Sequence, residues 1–377
     1  MKISIIHPFT PQAAGVVEKS VSTYHSQPHV MAMANLAIQE KYTCVMEYFT
    51  PKWFRYSSFN SILKWNFYPV DFKLNGDHKK WKKQRSSSCL KNYKRETPDV
   101  TIINMSAHSS PFSYELSKII LENGKKYIAM LGGQHYTDVE WARDYYRKAN
   151  HILVHTYMQK REMEKMEMFK GLDIRVFPLG VDCNVFTPQN TKNVSPELLY
   201  VGRIVDWKRV HLAIEAIYEL TQNGFPDAKL KIIGPISSEE YFKKLEDLVE
   251  KFNLQDNIFF LGHKEHNELP EFFQKADLFL LPSDKETFGM VMIESMACGT
   301  PVAGMNCPGG PADVITNGVD GILSTPEEYA QAIIRYFQDQ VSIKQMKAKA
   351  RETAVVKYSI DETTRVLFES VQSALHS

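Results

Sequence analysis

The sequence has 377 residues, of which 44% are hydrophobic and 24% charged, with 45 Lys and Arg against 44 Asp and Glu. This length predicts two domains or one large one, and the ordinary composition excludes a disordered, collagen-like or coiled-coil chain. No apolar run approaches the roughly 18–20 residues that span a bilayer, and five single cysteines form neither a disulfide framework nor a metal motif. We therefore expect a reduced, cytoplasmic protein.

The first half of the chain predicts βα units on a parallel sheet, because short β-branched runs alternate with helical patterns. The predicted strands are Lys2–Ile6, Thr43–Tyr48, Asp99–Asn104, Lys126–Leu131 and His151–His155. Helical patterns between them include His29–Lys41 and Tyr114–Asn123. The opening apolar run is too short for the hydrophobic region of a signal peptide and reads as the first strand.

The segment Tyr48–Phe72 does not fit this alternation, because it contains ten aromatic residues. It is followed by Lys79–Arg95, with eight basic residues in 17 positions. An aromatic belt beside a cationic run suits peripheral attachment to an anionic membrane surface. The alternative is an insertion that packs its aromatic side chains inward beneath a solvated charged loop. No nucleic-acid-binding motif accompanies the run, so we expect no nucleic acid partner.

The second half predicts a more regular set of βα units. Its predicted strands are Glu197–Val201, Lys229–Ile233, Asn257–Leu261, Asp277–Leu281, Pro301–Ala303 and Gly321–Leu323. Its predicted helices are Val210–Gln222, Glu239–Phe252, Glu268–Lys275 and Gly289–Ala297, and Ser359–Ser377 ends the chain as an amphipathic helix. Phe186–Pro196 is rich in turn-forming residues and is the predicted linker.

Charge supports a division into two domains. Residues 1–195 carry 27 Lys and Arg against 17 Asp and Glu, a net +10, whereas residues 196–377 carry 18 against 27, a net −9. This asymmetry predicts domains with different partners. Charge alone would suit an anionic ligand, a membrane surface or nucleic acid, and the lack of a nucleic-acid-binding motif disfavours the last.

The stretch Pro282–Pro301 is the most informative for function. Glu286 lies in a predicted strand-to-helix loop and Glu294 lies one to two turns into the helix. The helix N-terminus offers free amides and a partial positive charge, and Gly289 permits close approach of a phosphate. This pattern fits a nucleotide diphosphate with a sugar on each side; the alternative is two ordinary surface carboxylates.

The same stretch resembles the Glu-x7-Glu motif of the retaining glycosyltransferases of family GT4, which have the GT-B fold. The resemblance also covers Gly180–Phe186, Leu198–Lys208, Phe259–Gly262 and Ala276–Ser283. It implies an α/β protein with two Rossmann-like, doubly wound domains facing across a cleft. The implied domains are an acceptor-binding domain at 1–187, a nucleotide-sugar donor domain at 188–357, and a helix at 358–377 that packs back on the first domain.

The resemblance implies a role for each matching residue of the donor domain. Arg203 and Lys208 would bind the donor diphosphate and stabilise the leaving group. Glu294 would bind the ribose hydroxyls and Glu286 the transferred sugar. Backbone groups of Phe288, Gly289 and Met290 would bind the phosphates, and those around Gly262 and His263 would hold the base. Gly234 would let the chain pass close to the donor, or serve packing alone. Lys208 is followed by Arg209, where the family usually has Gly.

The N-terminal domain departs further from the family. Where a Gly-Gly loop is usual, the sequence Ala13–Gly15 retains only Gly15 clearly. The family histidine near the reacting sugar corresponds to His135, with His108 as the rival; both could also be ordinary structural histidines.

The resemblance implies a retaining, metal-independent hexosyltransferase that uses a UDP- or GDP-linked sugar and needs no cofactor. The acceptor would be a glycan, a lipid-linked molecule or a small molecule, with a peripheral position at the inner face of the membrane as an option. Neither His25 with His29 nor His151 with His155 makes a convincing metal pair, since Pro28 interrupts the first and a strand separates the second by roughly 13 Å. The alternatives are a nucleotide-sugar epimerase of the same fold and a non-catalytic nucleotide-sugar binder.

Overall fold

The structure is a computed structural model that describes residues 1–14, 17–23, 27–74, 76, 79–105, 110–133, 136–189, 193–286, 288–306 and 309–377. The chain divides into two compact units, one formed by Met1–Leu179 with Ile360–Ser377 and the other by Gly180–Ser359. The final helix therefore belongs to the first unit. The division falls after Leu179, eight residues before the boundary that the sequence suggested at residue 187.

The earlier division has a structural reason. Arg351 donates hydrogen bonds from Nη1 to the carbonyl oxygen of Phe186 (2.8 Å) and from Nη2 to that of Cys183 (3.0 Å). Gln274 donates to the carbonyl oxygen of Thr187 at 2.8 Å. These bonds fasten the start of the predicted linker to helices of the second unit, so the segment is part of that unit.

The first unit is built on an eight-stranded sheet. Its strands are β1 (Lys2–His7), β2 (Thr43–Thr50), β3 (Tyr56–Asn60), β4 (Leu63–Pro69), β5 (Val100–Met105), β6 (Lys126–Leu131), β7 (Ile152–Val154) and β8 (Ile174–Val176). The order is β3-β4-β2-β1-β5-β6-β7-β8. The neighbours are parallel except for the antiparallel β3–β4 hairpin.

Helices cover both faces of this sheet. They are α1 (Pro28–Gln39), α2 (Ser87–Arg95), α3 (Pro111–Glu122), α4 (Glu140–Lys148), α5 (Tyr157–Glu164) and the C-terminal helix (Ile360–His376). Ile5 points to one face and packs with Leu36 of α1 and Leu367 of the C-terminal helix. Ile6 points to the other and packs with Leu116 of α3. This alternation along one strand is what a sheet buried on both faces requires.

The aromatic segment belongs to the sheet and is not an insertion beside it. β3 and β4 lie within Tyr48–Phe72, and Trp65, Phe67 and Tyr68 of β4 are buried. The inward-packing interpretation is thus right for these side chains. The loops after β2 and β4 behave differently, because Trp53 is 96% exposed and Phe72 is 74% exposed.

The second unit has a six-stranded, wholly parallel sheet. Its strands are β9 (Glu197–Val201), β10 (Lys229–Ile233), β11 (Ile258–Phe260), β12 (Leu278–Leu281), β13 (Val302–Met305) and β14 (Gly321–Ser324). Its helices are α6 (Val210–Gln222), α7 (Glu239–Lys251), α8 (Leu269–Lys275), α9 (Met290–Ala297), α10 (Gly310–Val314), α11 (Tyr329–Gln338) and α12 (Gln340–Lys357).

The strand order β11-β10-β9-β12-β13-β14 is that of a doubly wound sheet. The chain builds outward from β9 in one direction and then returns to place β12 on the other side of β9. The loops after β9 and β12 therefore diverge, which leaves a crevice at their carboxyl ends. The predicted α/β fold with two Rossmann-like units is confirmed.

Among the described residues, no helix combines the length and apolar character needed to cross a membrane. The same residues contain no group of three or more His, Cys, Asp or Glu side chains that could hold a metal ion.

A histidine cluster lies at the carboxyl end of β1 in the first unit. The Nε2 atom of His7 is 3.1 Å from Nε2 of His29 and 3.0 Å from Nδ2 of Asn104, and its ring stacks on Tyr48 with centroids 4.1 Å apart. Burial lowers the pKa of His7 well below its ordinary value, and the nearby His29 adds to this effect. Burial also lowers the pKa of His29 to about 3 and that of His155 to about 4.

This cluster predicts that acid destabilises the first unit. Between the lowered pKa values and the ordinary histidine pKa of 6.5, the unfolded chain binds protons that the folded unit does not. The free energy of unfolding should therefore fall as the pH is lowered from 6.5 toward 4. Urea unfolding across this range should show a shallower fall for His29→Gln than for wild type, while the exposed control His376→Gln should retain the wild-type slope. Equal slopes for wild type and His29→Gln would refute this interpretation.

Candidate functional site

A buried ion pair joins the two loops that diverge at the second sheet. Lys208 ends a 3-10 turn (Asp206–Lys208) after β9, and Glu286 lies in the loop after β12. Lys208 Nζ donates to Glu286 Oε2 at 2.6 Å, and the two side chains are only 11% and 15% exposed. Two residues that the sequence assigned to one site are therefore in direct contact.

Trp207 contacts both cations of the loop after β9 and the backbone of the loop after β12. The Cζ atom of Arg203 lies 5.6 Å from the centroid of the Trp207 ring, and Lys208 Nζ lies 4.6 Å from it. The backbone amide of Asp284 donates to the carbonyl oxygen of Trp207 at 3.0 Å. Arg203 is exposed whereas Lys208 is buried, so Arg203 is the cation that can move to meet a ligand.

Arg209 occupies a left-handed backbone conformation, with φ of 50°. A glycine adopts this conformation without steric cost, which is the residue type usual here in the family that the sequence resembles. Its guanidinium forms an ion pair with Asp284, Nη2 to Oδ1 at 2.8 Å. The additional cation therefore contacts the loop after β12.

Glu294 is a buried carboxylate of helix α9. It lies in the second turn of α9 and is 3% exposed. His266 Nε2 is 2.8 Å from Oε1, and the hydrogen bond with this carboxylate raises the pKa of His266. Within the described residues Oε2 is buried and has no hydrogen-bond partner. Because buried polar atoms are nearly always paired, this oxygen is a position for a hydroxyl donor from a ligand.

Three glycines meet beyond the ends of neighbouring strands. Gly234 has φ of +144°, and a Cβ there would lie 1.9 Å from the carbonyl oxygen of Gly202. Its amide donates to the carbonyl oxygen of Gly262 at 2.8 Å. Backbone packing alone therefore requires glycine at position 234. The Gly262 carbonyl oxygen already accepts a hydrogen bond from the protein backbone.

Gly309 and Gly310 determine the path of the Glu286 loop. A Cβ on Gly309 would lie 2.2 Å from the carbonyl oxygen of Glu286, and one on Gly310 would lie 2.0 Å from that of Phe288. The Gly310 amide donates to the Glu286 carbonyl at 2.8 Å. Sequence reasoning missed both glycines and His266; the glycine pair after a predicted strand was a usable signal, whereas His266 had none.

The remaining predicted donor-site residues lie near these loops. Gly289 has φ of +81° and precedes α9, which begins at Met290. The Phe288 ring is buried and packs edge-on against Tyr358, with centroids 5.8 Å apart. Phe288 could therefore offer a ligand only its backbone. His263 is exposed and approaches Glu265 at 3.7 Å.

Three predicted residues lie outside the described part of the chain. They are Gly15, His135 and its rival His108. Their roles stay predictions.

Comparison with known proteins finds a family match within the second unit. Residues 185–353 match the family described as glycosyl transferases group 1. A glycogen synthase of Mycobacterium tuberculosis is 33% identical over 182 residues, which cover 47% of this chain and 43% of that protein. A D-inositol 3-phosphate glycosyltransferase of Paenarthrobacter aurescens is 31% identical over 231 residues, 57% of this chain and 56% of that protein. The chain thus spans about half the length of these curated relatives.

The fold extends over the whole chain. The structure of Anabaena HepE in complex with UDP is similar with a TM-score of 0.70 at 15% identity, and the alignment covers 99% of this chain and 100% of that one. At this identity the likeness shows the fold alone. The fold is of the GT-B class, with two Rossmann-like domains, as the sequence resemblance implied. The match to the glycosyl transferases group 1 model is confined to residues 185–353, whereas the likeness in fold covers 99% of the chain.

Proposed function

We propose that the protein is a retaining glycosyltransferase of the GT4 type, which transfers a hexose from a UDP- or GDP-linked donor. One observation carries this proposal above the others. At the crevice of the second sheet, the Lys208–Glu286 pair and the open oxygen of Glu294 offer a cation and two carboxylates to a ligand. The names of the relatives, a glycogen synthase and an inositol phosphate glycosyltransferase, and the UDP complex of HepE agree with it.

Each group has a defined task in this proposal. Glu294 Oε2 accepts a hydrogen bond from a ribose hydroxyl, which pairs the buried oxygen. Arg203 and Lys208 bind the diphosphate, with the backbone amides at Gly289 and Met290 completing the contacts. Glu286 contacts the hexose while Lys208 holds its carboxylate in place.

The reaction breaks the bond between the anomeric carbon and the diphosphate oxygen, and that oxygen keeps the electron pair. Arg203 and Lys208 stabilise the charge that develops on the leaving diphosphate. The acceptor hydroxyl forms the new bond on the same face of the sugar and loses its proton to the departing phosphate. Retention and the predicted roles of His135 and Gly15 rest on the family resemblance. This course requires no metal ion.

We propose an acceptor of lipid-linked type, bound by the first unit at a membrane surface. A groove of about 680 Å³ opens at the carboxyl ends of β1, β2 and β4, and its lining includes Trp53, Phe72, Lys52 and Lys79. Single exposed aromatic side chains are common, but two that are as exposed as Trp53 and Phe72 and line the same groove indicate an interaction surface. Aromatic residues beside cations are typical of surfaces that insert into the interface of an anionic bilayer.

This proposal predicts salt-sensitive membrane binding. Replacing Lys79, Lys80, Lys82 and Lys83 with Gln should reduce binding to anionic vesicles, because each cation near such a surface contributes about 1 kcal/mol. Added salt should mimic the variant, since screening acts within about 8 Å in physiological salt. Vesicle co-sedimentation at two salt concentrations measures both effects.

A matched variant controls for charge. Replacing Lys229, Lys243, Lys244 and Lys251 of the second unit with Gln removes as many positive charges as the first variant does. This control variant should bind vesicles as wild type does. Trp53→Ser with Phe72→Ser should weaken binding at both salt concentrations. Equal, negligible binding by wild type and the first Gln variant would discard the membrane surface and leave glycosyl transfer standing.

A donor panel tests glycosyl transfer itself. The protein is incubated with nucleotide sugars, with and without lipid-linked and small-molecule acceptors, and both free diphosphate and altered sugar are followed. Acceptor-dependent release of diphosphate supports the proposal. A changed sugar still attached to its nucleotide would indicate an epimerase, and binding without any turnover would indicate a non-catalytic binder.

A further inference from the structure

A second concavity of the first unit is lined by cations. It has a volume of about 330 Å³, and its lining residues are Arg55, Ser88, Lys91, Asn92 and Arg95. Residues 88, 91, 92 and 95 follow the three- and four-residue spacing of one helix face, here that of α2. Arg55 joins them from the loop after β2. The lining therefore combines three cations with a hydroxyl and an amide, and it contains no carboxylate.

A buried hydrogen-bond network holds Arg55 in this concavity. Arg55 Nη1 donates to Asn92 Oδ1 at 2.6 Å, and Asn92 Nδ2 donates to the Tyr68 hydroxyl at 3.0 Å. The Tyr68 hydroxyl donates in turn to Glu47 Oε1 at 2.7 Å. Asn92, Tyr68 and Glu47 are all buried. The guanidinium also lies over the Tyr68 ring, 5.1 Å from its centroid, so its orientation is set before any ligand binds.

Acidic side chains neutralise the three cations only in part. Glu96 pairs with Lys2 at 2.6 Å, and Arg95 is a further cation that lowers the pKa of this carboxyl. In the part of the chain that the structure describes, Arg55, Lys91 and Arg95 form no ion pair. Nearby Arg85 is different, because it pairs with both Asp71 (3.0 Å) and Glu115 (2.8 Å). Like charges that converge on one concavity repel one another, and a bound anion would relieve that repulsion.

We propose that this concavity binds a phosphate group. Arg55 uses Nη1 for Asn92, which leaves Nη2 and Nε as a fork of the kind that suits phosphate oxygens. Lys91 and Arg95 add charge, and the Ser88 hydroxyl can donate one more hydrogen bond. The phosphate belongs either to a lipid headgroup or to a soluble phosphorylated molecule. This inference does not rest on the proposed glycosyl transfer, since all its residues are in the first unit and none is in the donor site.

The first experiment uses glycerol 3-phosphate as the soluble probe and glycerol as the uncharged reference, with binding followed by calorimetry. Arg55→Gln and Arg95→Gln should each weaken probe binding by about tenfold or more, as expected when a charge-assisted hydrogen bond is lost. Arg55→Lys should weaken it too, because the charge stays but the fork is lost. Lys94→Gln is the matched control, because Lys94 lies on the same helix but does not line the concavity; it should bind as wild type does.

The second experiment distinguishes the two sources of phosphate. Phosphatidylcholine vesicles that carry phosphatidic acid are compared with charge-matched vesicles that carry phosphatidylserine. A wild-type preference for phosphatidic acid that disappears in Arg55→Gln assigns the pocket to a lipid headgroup. Saturable probe binding without that preference assigns it to a soluble molecule.

Three results would overturn the inference. The first is probe binding that is unchanged in Arg55→Gln and Arg95→Gln. The second is probe binding by wild type that is too weak to measure, together with no vesicle preference. The third is an equal loss in Lys94→Gln, which would mean diffuse attraction to a basic surface. Nucleotide binding measured in parallel should be unaffected by Arg55→Gln, so failure here and failure of the donor site are separate outcomes.

Discussion

Substituting Lys208 with Gln is expected to slow glycosyl transfer by about 100-fold or more, the range seen when a group that stabilises transition-state charge is removed. Lys208 is buried and its Nζ lies 2.6 Å from Glu286 Oε2. The substitution therefore removes the positive charge that would stabilise the leaving diphosphate, and it also frees the Glu286 carboxylate beside the sugar from its ion pair. Arg203→Gln should reduce the rate similarly without affecting that carboxylate. Initial rates at saturating donor measure both.

Lys208→Gln also breaks a buried ion pair, so its effect on stability must be measured separately from its effect on the rate. Removing one partner of a buried pair leaves an uncompensated charge, which costs about 3–5 kcal/mol in typical cases. The double variant Lys208→Gln with Glu286→Gln removes both charges and should recover stability in urea unfolding without recovering the rate. Recovery of the rate would mean that the pair serves folding and not catalysis.

Metal removal gives an independent check of the leaving-group account. If Arg203, Lys208 and the backbone amides carry the diphosphate charge, EDTA should leave the transfer rate largely intact. A strict requirement for a divalent cation in the chemical step would contradict that account.

Glu294→Ala is expected to weaken binding of the free nucleoside diphosphate and of the nucleotide sugar alike, by about tenfold or more, because both lose the same charge-assisted hydrogen bond to ribose. The wild-type carboxylate is buried, with Oε1 on His266 and Oε2 open. Glu286→Ala should instead reduce turnover and sugar selectivity while plain diphosphate binding persists. Calorimetry with the diphosphate and with the sugar donor separates the two.

The same two variants test which carboxylate contacts ribose and which contacts the transferred sugar. If Glu286→Ala abolishes binding of the plain diphosphate and Glu294→Ala does not, the ribose and sugar roles must be exchanged. His266→Gln tests the same geometry, because it retains a hydrogen-bond donor for Oε1 without a titrating ring and should preserve most of the nucleotide affinity at neutral pH.

The second unit was the more predictable part of the fold. The bounds predicted for Glu197–Val201, Lys229–Ile233 and Val210–Gln222 are those that the structure has. Buried parallel strands are continuous apolar runs, and the helices between them have clear spacing, so local pattern and tertiary packing agree. The first unit was harder at β3 and β4, where aromatic and polar residues alternate in an edge hairpin that looks like an insertion.

Parts of the site depend on contacts between residues far apart in sequence. The sequence indicated Lys208 and Glu286 as members of one site, but the ion pair between them follows from the position of β12 beside β9. Gly309 is required by the backbone of Glu286, and His266 reaches Glu294 from the loop after β11. The glycine pair was visible in the sequence, but its contact with the Glu286 loop was not, and His266 had no local pattern at all. These contacts become visible only when the loops are placed in space.

Calorimetric titration of wild type and Glu294→Ala with UDP and with GDP tests the central claim most directly, namely that the crevice of the second sheet binds a nucleoside diphosphate. We predict that one of the two nucleotides binds wild type saturably, and that Glu294→Ala binds it about tenfold or more weakly. Arg55→Gln should bind that nucleotide as wild type does. If neither nucleotide binds wild type, or if Glu294→Ala binds with unchanged affinity, the donor site is not where we place it.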